Sequence, residues 1–600
     1  MNNNMNNNML KYPFDSQLIL KKRIAIKKEL LASEIPFINK NIAILGGSTT
    51  HDIKHILELF LLGNGIKPTF FESEYGQYWE DAMFGNSEID LLKPDIIYIH
   101  TSNRNITSYP TIKNTEVEID KMLSDQYKHF EVMWDKLKEK YDCPIIQNNF
   151  EMPFYRLLGN KDASDIHGKT NFIMRLNNFL YQYSQKHSNF YINDINYLSA
   201  NFGLERWADP LYWHMYKYCL CVSAIPNLAF SISNIIKSIF GRNKKALVLD
   251  LDNTLWGGVI GDDGVEGIEI GKETPMGQVY SEFQAYLKEH KDLGILLNVN
   301  SKNDYDNAIA GLNHPDGVLR PDDFVIIKAN WENKDKNLLD IAADLNIFPD
   351  SIVFVDDNPA EREIVTAQVA GVVTPRMDKV ENYINTLDKC GFFEVTHFSE
   401  DDIKRNDMYR VNAERDQQQK SFSNYEEYLK SLDMTALIRD FDDIYIQRIT
   451  QLTNKTNQFN LTTKRFTESE MDVVASDSNY IRLYGKLEDK LGDNGVVTVV
   501  VGRKENKTLH IELWLMSCRV LKRNMEYAMM DTLVEEAQKV GIRTIRGYYF
   551  KTAKNGMVKD FYEQMGFIKI SGDSGDSVWE MPTSNYGNKN NVIKVIRKVE

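Results

Sequence analysis

The stretch "ALVLDLDNTLWGGVIGDDG", Ala246 to Gly264, constrains this chain more than any other. A short apolar run ends in Asp250, and a second carboxylate follows at Asp252. In an extended segment residue 251 points to the opposite face, so Asp250 and Asp252 share one. Two acids that close repel at neutral pH unless something of opposite charge lies between them. The same pattern, an apolar run with a polar end, recurs in "GILLNVNSKND" and "SIVFVDDNPAERE". Strands alternating with helices build a parallel α/β sheet. Reactive groups in such a sheet gather at the carboxyl ends of the strands.

Four pieces line up in this way. Asp250 and Asp252 come first, Ser301 follows "ILLNVN", Lys334 sits in "ANWENKDKN", and Asp356 with Asp357 follow "SIVFV". Each has a chemical reason. A carboxylate can attack a phosphoryl group and hold it as an acyl phosphate. It approaches a phosphate dianion only if a cation neutralises the charge, and Mg²⁺ suits a site of carboxylate and phosphate oxygens. Asp356 is then the second carboxylate on the ion, with Asp357 behind it. Lys334 offsets remaining negative charge, Ser301 hydrogen-bonds a phosphoryl oxygen, and Asp252 serves as general acid and base. Alone, Asp-x-Asp-x-Thr would equally describe a helix cap or a solvated turn. Four strand ends in this order point instead to an active site.

Six hundred residues exceed what one core holds, so three or four domains are expected. A formal charge of −14 excludes a general nucleic-acid binder, which needs clustered Lys and Arg. Cys143, Cys219, Cys221, Cys390 and Cys518 are too scattered for a disulfide framework and fit a reducing cytoplasm. The leader "MNNNMNNNML" has no basic start or apolar run and reads as disorder. The apolar stretch Leu220 to Phe240 contains Pro226, Asn227, Asn234 and Lys237, so a docked helix is expected and no membrane span.

The chain therefore divides into a leader with an N-terminal helix (1–40), a first α/β block (41–240), the acidic block (241–398), a charged linker or bridging helix (399–433), a third block (434–585) and a polar-to-basic tail (586–600). The first block opens with strand Ile42 to Leu45, Gly46-Gly47-Ser48 and a helix. The third reads strand, helix, several strands ("VVTVVVG", "HIELWLMS"), helix, strand, helix.

"DLDNTLWGG" with Ser301, Lys334 and "VDDNP" resembles the haloacid dehalogenase-like phosphotransferases. That resemblance implies a Rossmann-like core, Asp250 as nucleophile, Asp252 as acid/base, and Mg²⁺ on Asp250, the Asp252 carbonyl and Asp356. The fuller pattern "LDLDNTLWGGVIGDDG…NSKND…NWENK…FVDDNPAERE" is similar to FkbH-like proteins of the uncapped subfamily IIIC, over Lys244 to Met581. Those proteins load a glyceryl unit from 1,3-bisphosphoglycerate onto an acyl carrier protein and remove its phosphate. The spacing between Asp250, Ser301 and Lys334 leaves room for a small flap, "GVIGDDGVEGIEIG", and for no large cap. An open site suits a phosphate carried on something large, such as a protein-tethered chain, or a free metabolite.

"HIELWLMSCRVLKRNMEYAMMDTLVEEAQKVG" resembles the GCN5-related acetyltransferases, in which backbone N–H groups at a helix start hold the coenzyme A pyrophosphate. Their loop is R-x-x-G-x-G/A. Arg519 is present here, but Lys522 and Asn524 occupy the glycine positions, where side chains obstruct that approach. Cys518, at the strand end beside Arg519, is a candidate acyl-carrying nucleophile, and FkbH-like sequences have a similar Ser-Cys-Arg stretch. A buried structural cysteine is the alternative. Asn457, Asn460 and Asn555 line an acyl or carrier-arm pocket, or else serve as turn and cap residues.

The first block resembles the SGNH hydrolases, which have a flavodoxin-type sheet. That resemblance implies Ser48 as nucleophile, His214 as base, Asp209 as its orienter and Asn103 as an oxyanion donor. Gly47 replaces the usual Asp, and "DPLYWH" spaces Asp and His by four residues rather than two. A non-catalytic domain that binds a partner or sugar is the other reading. The whole chain reads as a phosphatase coupled to acyl transfer, with a phosphorylated acyl donor and a carrier protein or sugar as acceptor. The alternatives are a phosphatase fused to a coenzyme A-dependent acyltransferase acting on a sugar, and a non-catalytic scaffold.

Overall fold

The computed structural model describes residues 9–33, 36–419, 422–572 and 575–597. The expected disordered leader falls on residues 1–8, outside the described residues. The chain divides into two compact units, residues 1–242 with 467–470, and the remainder.

The first unit holds a five-stranded parallel sheet: β1 (Ile38–Gly46), β2 (Ile66–Glu72), β3 (Ile96–His100), β4 (Ile145–Asn148) and β5 (Phe190–Asn193). Its order, β2-β1-β3-β4-β5, is the flavodoxin-type arrangement, with the strand order reversing between β1 and β3. β3 and β4 are buried along their full length, which is why they read as continuous apolar runs rather than alternating ones. Helices cover both faces. The apolar stretch that could have suggested a membrane becomes helix Ile225–Ile239, packed with helix His51–Gly63 in one core. Among the described residues no helix is long and apolar enough to cross a membrane.

The second unit contains two sheets. The first comprises β6 (Ala246–Leu249), β7 (Leu296–Ser301), β8 (Ile326–Ala329) and β9 (Ile352–Val355), all parallel, in the order β8-β7-β6-β9. This is the Rossmann-like layering expected from the acidic block. Between β6 and helix Pro275–Asp292 the chain makes only a short flap. Gly257 and Glu269 exchange both backbone hydrogen bonds (3.0 and 2.8 Å) around a single helical turn, Ile260–Asp263. Asn253, in the left-handed region at φ 54°, turns the chain into this flap.

The second sheet is largely antiparallel, in the order β16-β17-β15-β14-β13-β12-β10-β18, with β11 paired to β14. Its strands are β10 (Thr435–Arg439), β11 (Phe459–Asn460), β12 (Tyr480–Asp489), β13 (Gly492–Glu505), β14 (Thr508–Met516), β15 (Thr544–Tyr549), β16 (Ile568–Ser571), β17 (Ser577–Pro582) and β18 (Lys594–Ile596). β14 and β15 are parallel neighbours. The segment expected to be a tail supplies β18, because its alternating residues pair in parallel with β10.

The charged segment after 399 forms helix Arg405–Gln419, which bridges the two sheets. Asn406 accepts from Leu297 N (3.3 Å) and donates to Ile295 O (2.9 Å) at the amino end of β7. Arg415 is buried against Asp489 of β12 at 2.6 Å. These polar residues are spent on specific buried bonds, so the helix carries no apolar stripe for periodicity to reveal.

Candidate active site

Asp250 leaves β6 with its N–H donated to Val355 O (2.9 Å), which ties the first acidic strand end to β9 and its Asp356. Carboxylate oxygens of Asp250, Asp356 and Asp357 all lie within 4.8 Å of one another. Lys334, first residue of helix Lys334–Asp344, reaches into this cluster, 3.0 Å from Asp250 Oδ1 and 2.6 Å from Asp356 Oδ2. Its side chain is 4% exposed, and the two carboxylates outweigh the effect of burial, raising its pKa. Burial and the Asp250 charge push Asp356 up to about 6, with Lys334 opposing, and they raise Asp357 as well.

Three carboxylates therefore face one ammonium, and for Asp356 and Asp357 burial, reinforced by the Asp250 charge, outweighs it. The donors are all oxygen, as a hard divalent cation requires, so the residues present fit Mg²⁺.

Asp252 shares a face with Asp250 but is held apart from that cluster. Its Oδ1 accepts from Trp256 Nε1 (2.9 Å) and Ile260 N (3.1 Å), and its Oδ2 from Asn303 Nδ2 (3.0 Å). Burial raises its pKa despite these donors, and the Asp250 charge adds to the rise. The metal ligand expected at Asp252 is its backbone carbonyl, and its carboxylate is held by these three donors. Ser301 closes β7, buried, with its carbonyl accepting from Asn330 N (3.1 Å).

Several residues in the quoted motifs escaped the sequence reading. Asn303 anchors Asp252. Asn300 Nδ2 donates to Lys334 O (2.8 Å), fixing the helix start that aims the lysine. Arg362 donates to the carbonyls of Asp356 and Asp357, both at 2.7 Å, holding the turn that presents them. Their signal was an amide or guanidinium inside an otherwise apolar or acidic motif, buried where only a specific partner makes it tolerable.

Cys518 follows β14 and lines a cavity of about 600 Å³ together with Ala343, Phe348, Tyr409, Arg519 and Lys554. Its Sγ lies 3.1 Å from the buried Tyr409 hydroxyl. Arg519 does not face the thiol: Nε donates to Ser517 Oγ (3.3 Å) and Nη1 reaches Met408 Sδ. The expected pocket amides are used otherwise. Asn460 and Asn555 are fully buried. Asn555 donates to Asn460 O and Phe550 O (both 2.9 Å), Asn460 accepts from Thr463 N (2.9 Å), and Asn457 accepts from Arg465. They tie loops together, and Gln458 and Gly556 line the cavity in their place.

Lys522 (φ 65°) and Asn524 (φ 61°) keep the left-handed backbone that glycine favours, but they bring side chains with it. The carboxyl of Glu526 stands in the first turn of helix Met525–Lys539, raised by burial. This is not a glycine-lined anion cradle, and no step is assigned to coenzyme A.

In the first unit the expected triad does not assemble. Asp209 spends its carboxylate capping helix Pro210–Tyr216, accepting from Leu211 N (2.8 Å) and Tyr212 N (3.3 Å), and His214 is exposed on that helix. Ser48 Oγ instead donates to Cys219 Sγ (3.2 Å), which lies 3.3 Å from His100 Nε2. Burial drops the His100 pKa to about 3 and pushes the Cys219 thiol up to about 12. A neutral thiol and a neutral imidazole form a packed polar core here, not an activated nucleophile. Asn103 donates its amide to Met152 O (3.2 Å) and its N–H to Glu151 (3.1 Å).

No curated protein matches. An E. coli ribosomal-protein-S18-alanine N-acetyltransferase aligns with 26% of this chain and 99% of its own, at 11% identity and TM-score 0.21. The N-terminal part of the protein BF1531 from Bacteroides fragilis, described as containing a phosphatase domain and complexed with Mg, aligns at 29% identity and TM-score 0.58. That alignment covers 63% of this chain and 99% of that one. Residues 41–237 match the family model described as FkbH, N-terminal domain, so that part of the chain is similar to FkbH N-terminal domains and the longer alignment is to a chain with a phosphatase domain.

Proposed function

We propose that the chain is a Mg²⁺-dependent phosphatase with an aspartate nucleophile, coupled to acyl transfer through Cys518. The observation that carries the reading is Lys334 bridging Asp250 and Asp356 at 3.0 and 2.6 Å, with Asp357 completing the carboxylate cluster. Asp250, Asp356 and Asp357 would hold the ion, which when bound supplies charge neutralisation for an incoming phosphate.

Lys334 holds Asp250 in place at 3.0 Å. Asp250 attacks phosphorus, the bond to the leaving oxygen breaks, and Asp252 protonates that oxygen. Asp252, now ionised, takes a proton from the water that hydrolyses the aspartyl phosphate. Trp256, Ile260 N and Asn303 hold it in place through both steps.

The open flap and the thiol in a separate cavity support the glyceryl-loading activity that the FkbH-like pattern implies. A phosphorylated acyl phosphate would acylate Cys518, and a carrier thiol would then take the acyl group. The deciding experiment follows intact mass and phosphate release with 1,3-bisphosphoglycerate and Mg²⁺. A covalent adduct that is absent in Cys518→Ala, and phosphate-ester hydrolysis that is absent in Asp250→Asn, are expected. Hydrolysis retained in Asp250→Asn overturns the nucleophile assignment.

A further inference from the structure

We propose that His51 and His55 in the first unit form a surface site for a borderline divalent transition metal such as Zn²⁺. The site takes a different class of ion from the carboxylate cluster, and it stands whether or not the phosphatase and acyl-transfer readings hold.

Both residues lie on helix His51–Gly63, four positions apart, so their side chains leave the same face. The two Nε2 atoms are 3.2 Å apart. The rings stand at 89° to each other with centroids 4.5 Å apart. Two imidazole nitrogens on one tetrahedral Zn²⁺, each about 2.05 Å from the ion, are separated by roughly 3.3 Å. The observed spacing is therefore the bite of a single ion. The His51 side chain is 61% exposed, so an ion reaches the pair from solvent.

The surroundings leave both nitrogens available. Glu72 Oε2 is 3.8 Å from His51 Nδ1, the ring nitrogen that does not face His55. A carboxylate there favours a proton on Nδ1, which leaves the lone pair on Nε2. Burial, with His51, Lys54 and Arg23 behind it, lowers the His55 pKa, so that ring is neutral at pH 7 and also has a lone pair to give. The neighbouring cations are already paired: Arg23 with Asp52 at 2.6 Å, Lys27 with Glu58 at 2.7 Å, and Lys54 with Glu72. Their charges cancel, so a dication meets no net positive barrier. Asp52, in the first turn, also offsets the positive end of the helix.

Imidazole ligands suit Zn²⁺, Cu²⁺ and Ni²⁺, whereas Mg²⁺ keeps to oxygen donors. Among the described residues no third His, Cys, Asp or Glu joins the pair, so the other coordination positions are left to water. An ion bound to both rings spans the first turn of the helix. Opening that turn separates the two ligands, so binding stabilises it by mass action. The opposite side of the same helix buries Ile53, Ile56, Leu57 and Phe60 in the core, and the ion fastens the exposed side.

The untagged full chain, held in excess Mg²⁺ so that oxygen-donor sites are filled, is titrated with Zn²⁺ and followed by calorimetry and amide exchange. His51→Gln and His55→Gln are each expected to lose an equivalent of bound Zn²⁺. At free Zn²⁺ about ten times the dissociation constant, exchange in helix His51–Gly63 is expected to slow about tenfold in the parent and in neither variant. Circular dichroism without Zn²⁺ checks that the variants fold, and His51→Gln, at the more exposed position, carries the test if His55→Gln does not. Equal Zn²⁺ uptake by the parent and His51→Gln overturns the site. The same slowing with Mg²⁺ alone overturns the assignment to a metal that prefers imidazole.

Discussion

Lys334 Nζ lies 2.6 Å from Asp356 Oδ2, a buried pair contributed by a helix start and a strand end 22 residues apart. The same ammonium serves Asp250, so one cation holds two of the three clustered acids. In Lys334→Met those carboxylates would be buried without compensation. A loss of about 3–5 kcal/mol in chelator is expected, with partial recovery on adding Mg²⁺. Thermal unfolding with and without Mg²⁺ measures both. Equal destabilisation in the two conditions would place the ion elsewhere.

The pKa of Asp252 is raised by burial, as the general-acid role proposed for it requires. Asp252→Asn is expected to cut hydrolysis of an alkyl phosphate by roughly 10²–10⁴-fold. An aryl ester such as p-nitrophenyl phosphate, whose leaving group needs no proton, loses far less in the first step. Burst kinetics on the two esters separate the roles, and identical losses argue against acid catalysis.

Arg415 and Asp489 tie the bridging helix to β12 at 2.6 Å, with Arg523 contributing a longer contact of 3.3 Å. Arg415→Met leaves Asp489 with the weaker partner, and a loss of about 3 kcal/mol is expected. Amide exchange should quicken in Arg405–Gln419 and β12, with phosphate release unchanged, because the Asp250 site lies at the far ends of the strands.

Glu151 in the first unit is fully buried, and burial pushes its carboxyl from 4.5 up to about 7. An acid raised on folding is protonated in the native state while the unfolded chain has already ionised. Its contribution to stability is therefore lost as pH rises from about 4.5 to about 7. Glu151→Gln removes that loss. The variant should gain roughly 3 kcal/mol relative to the parent between pH 4.5 and pH 8, read from amide exchange of β4 in the full chain. A gain independent of pH would mean that Glu151 does not titrate.

The alternation of apolar runs with helical periods determined the parallel sheets, because strand burial and side-chain period are local properties of the chain. The sequence also showed that Asp250, Ser301, Lys334 and Asp356 follow strands, and parallel strands deliver their ends to one edge. What local pattern could not decide was every partner chosen across long separations. Asp209 sits near His214 in sequence yet caps its own helix, because an N-cap carboxylate finds two free N–H groups at once. Asn460 and Asn555 turn inward to satisfy loop carbonyls. Cys518 is next to Arg519 in the chain, but packing sets its sulfur against Tyr409 and turns the guanidinium toward Met408. Tertiary structure alone placed that thiol at the edge of the sheet opposite Asp250, since strand order and the bridging helix, not sequence spacing, determine which ends meet.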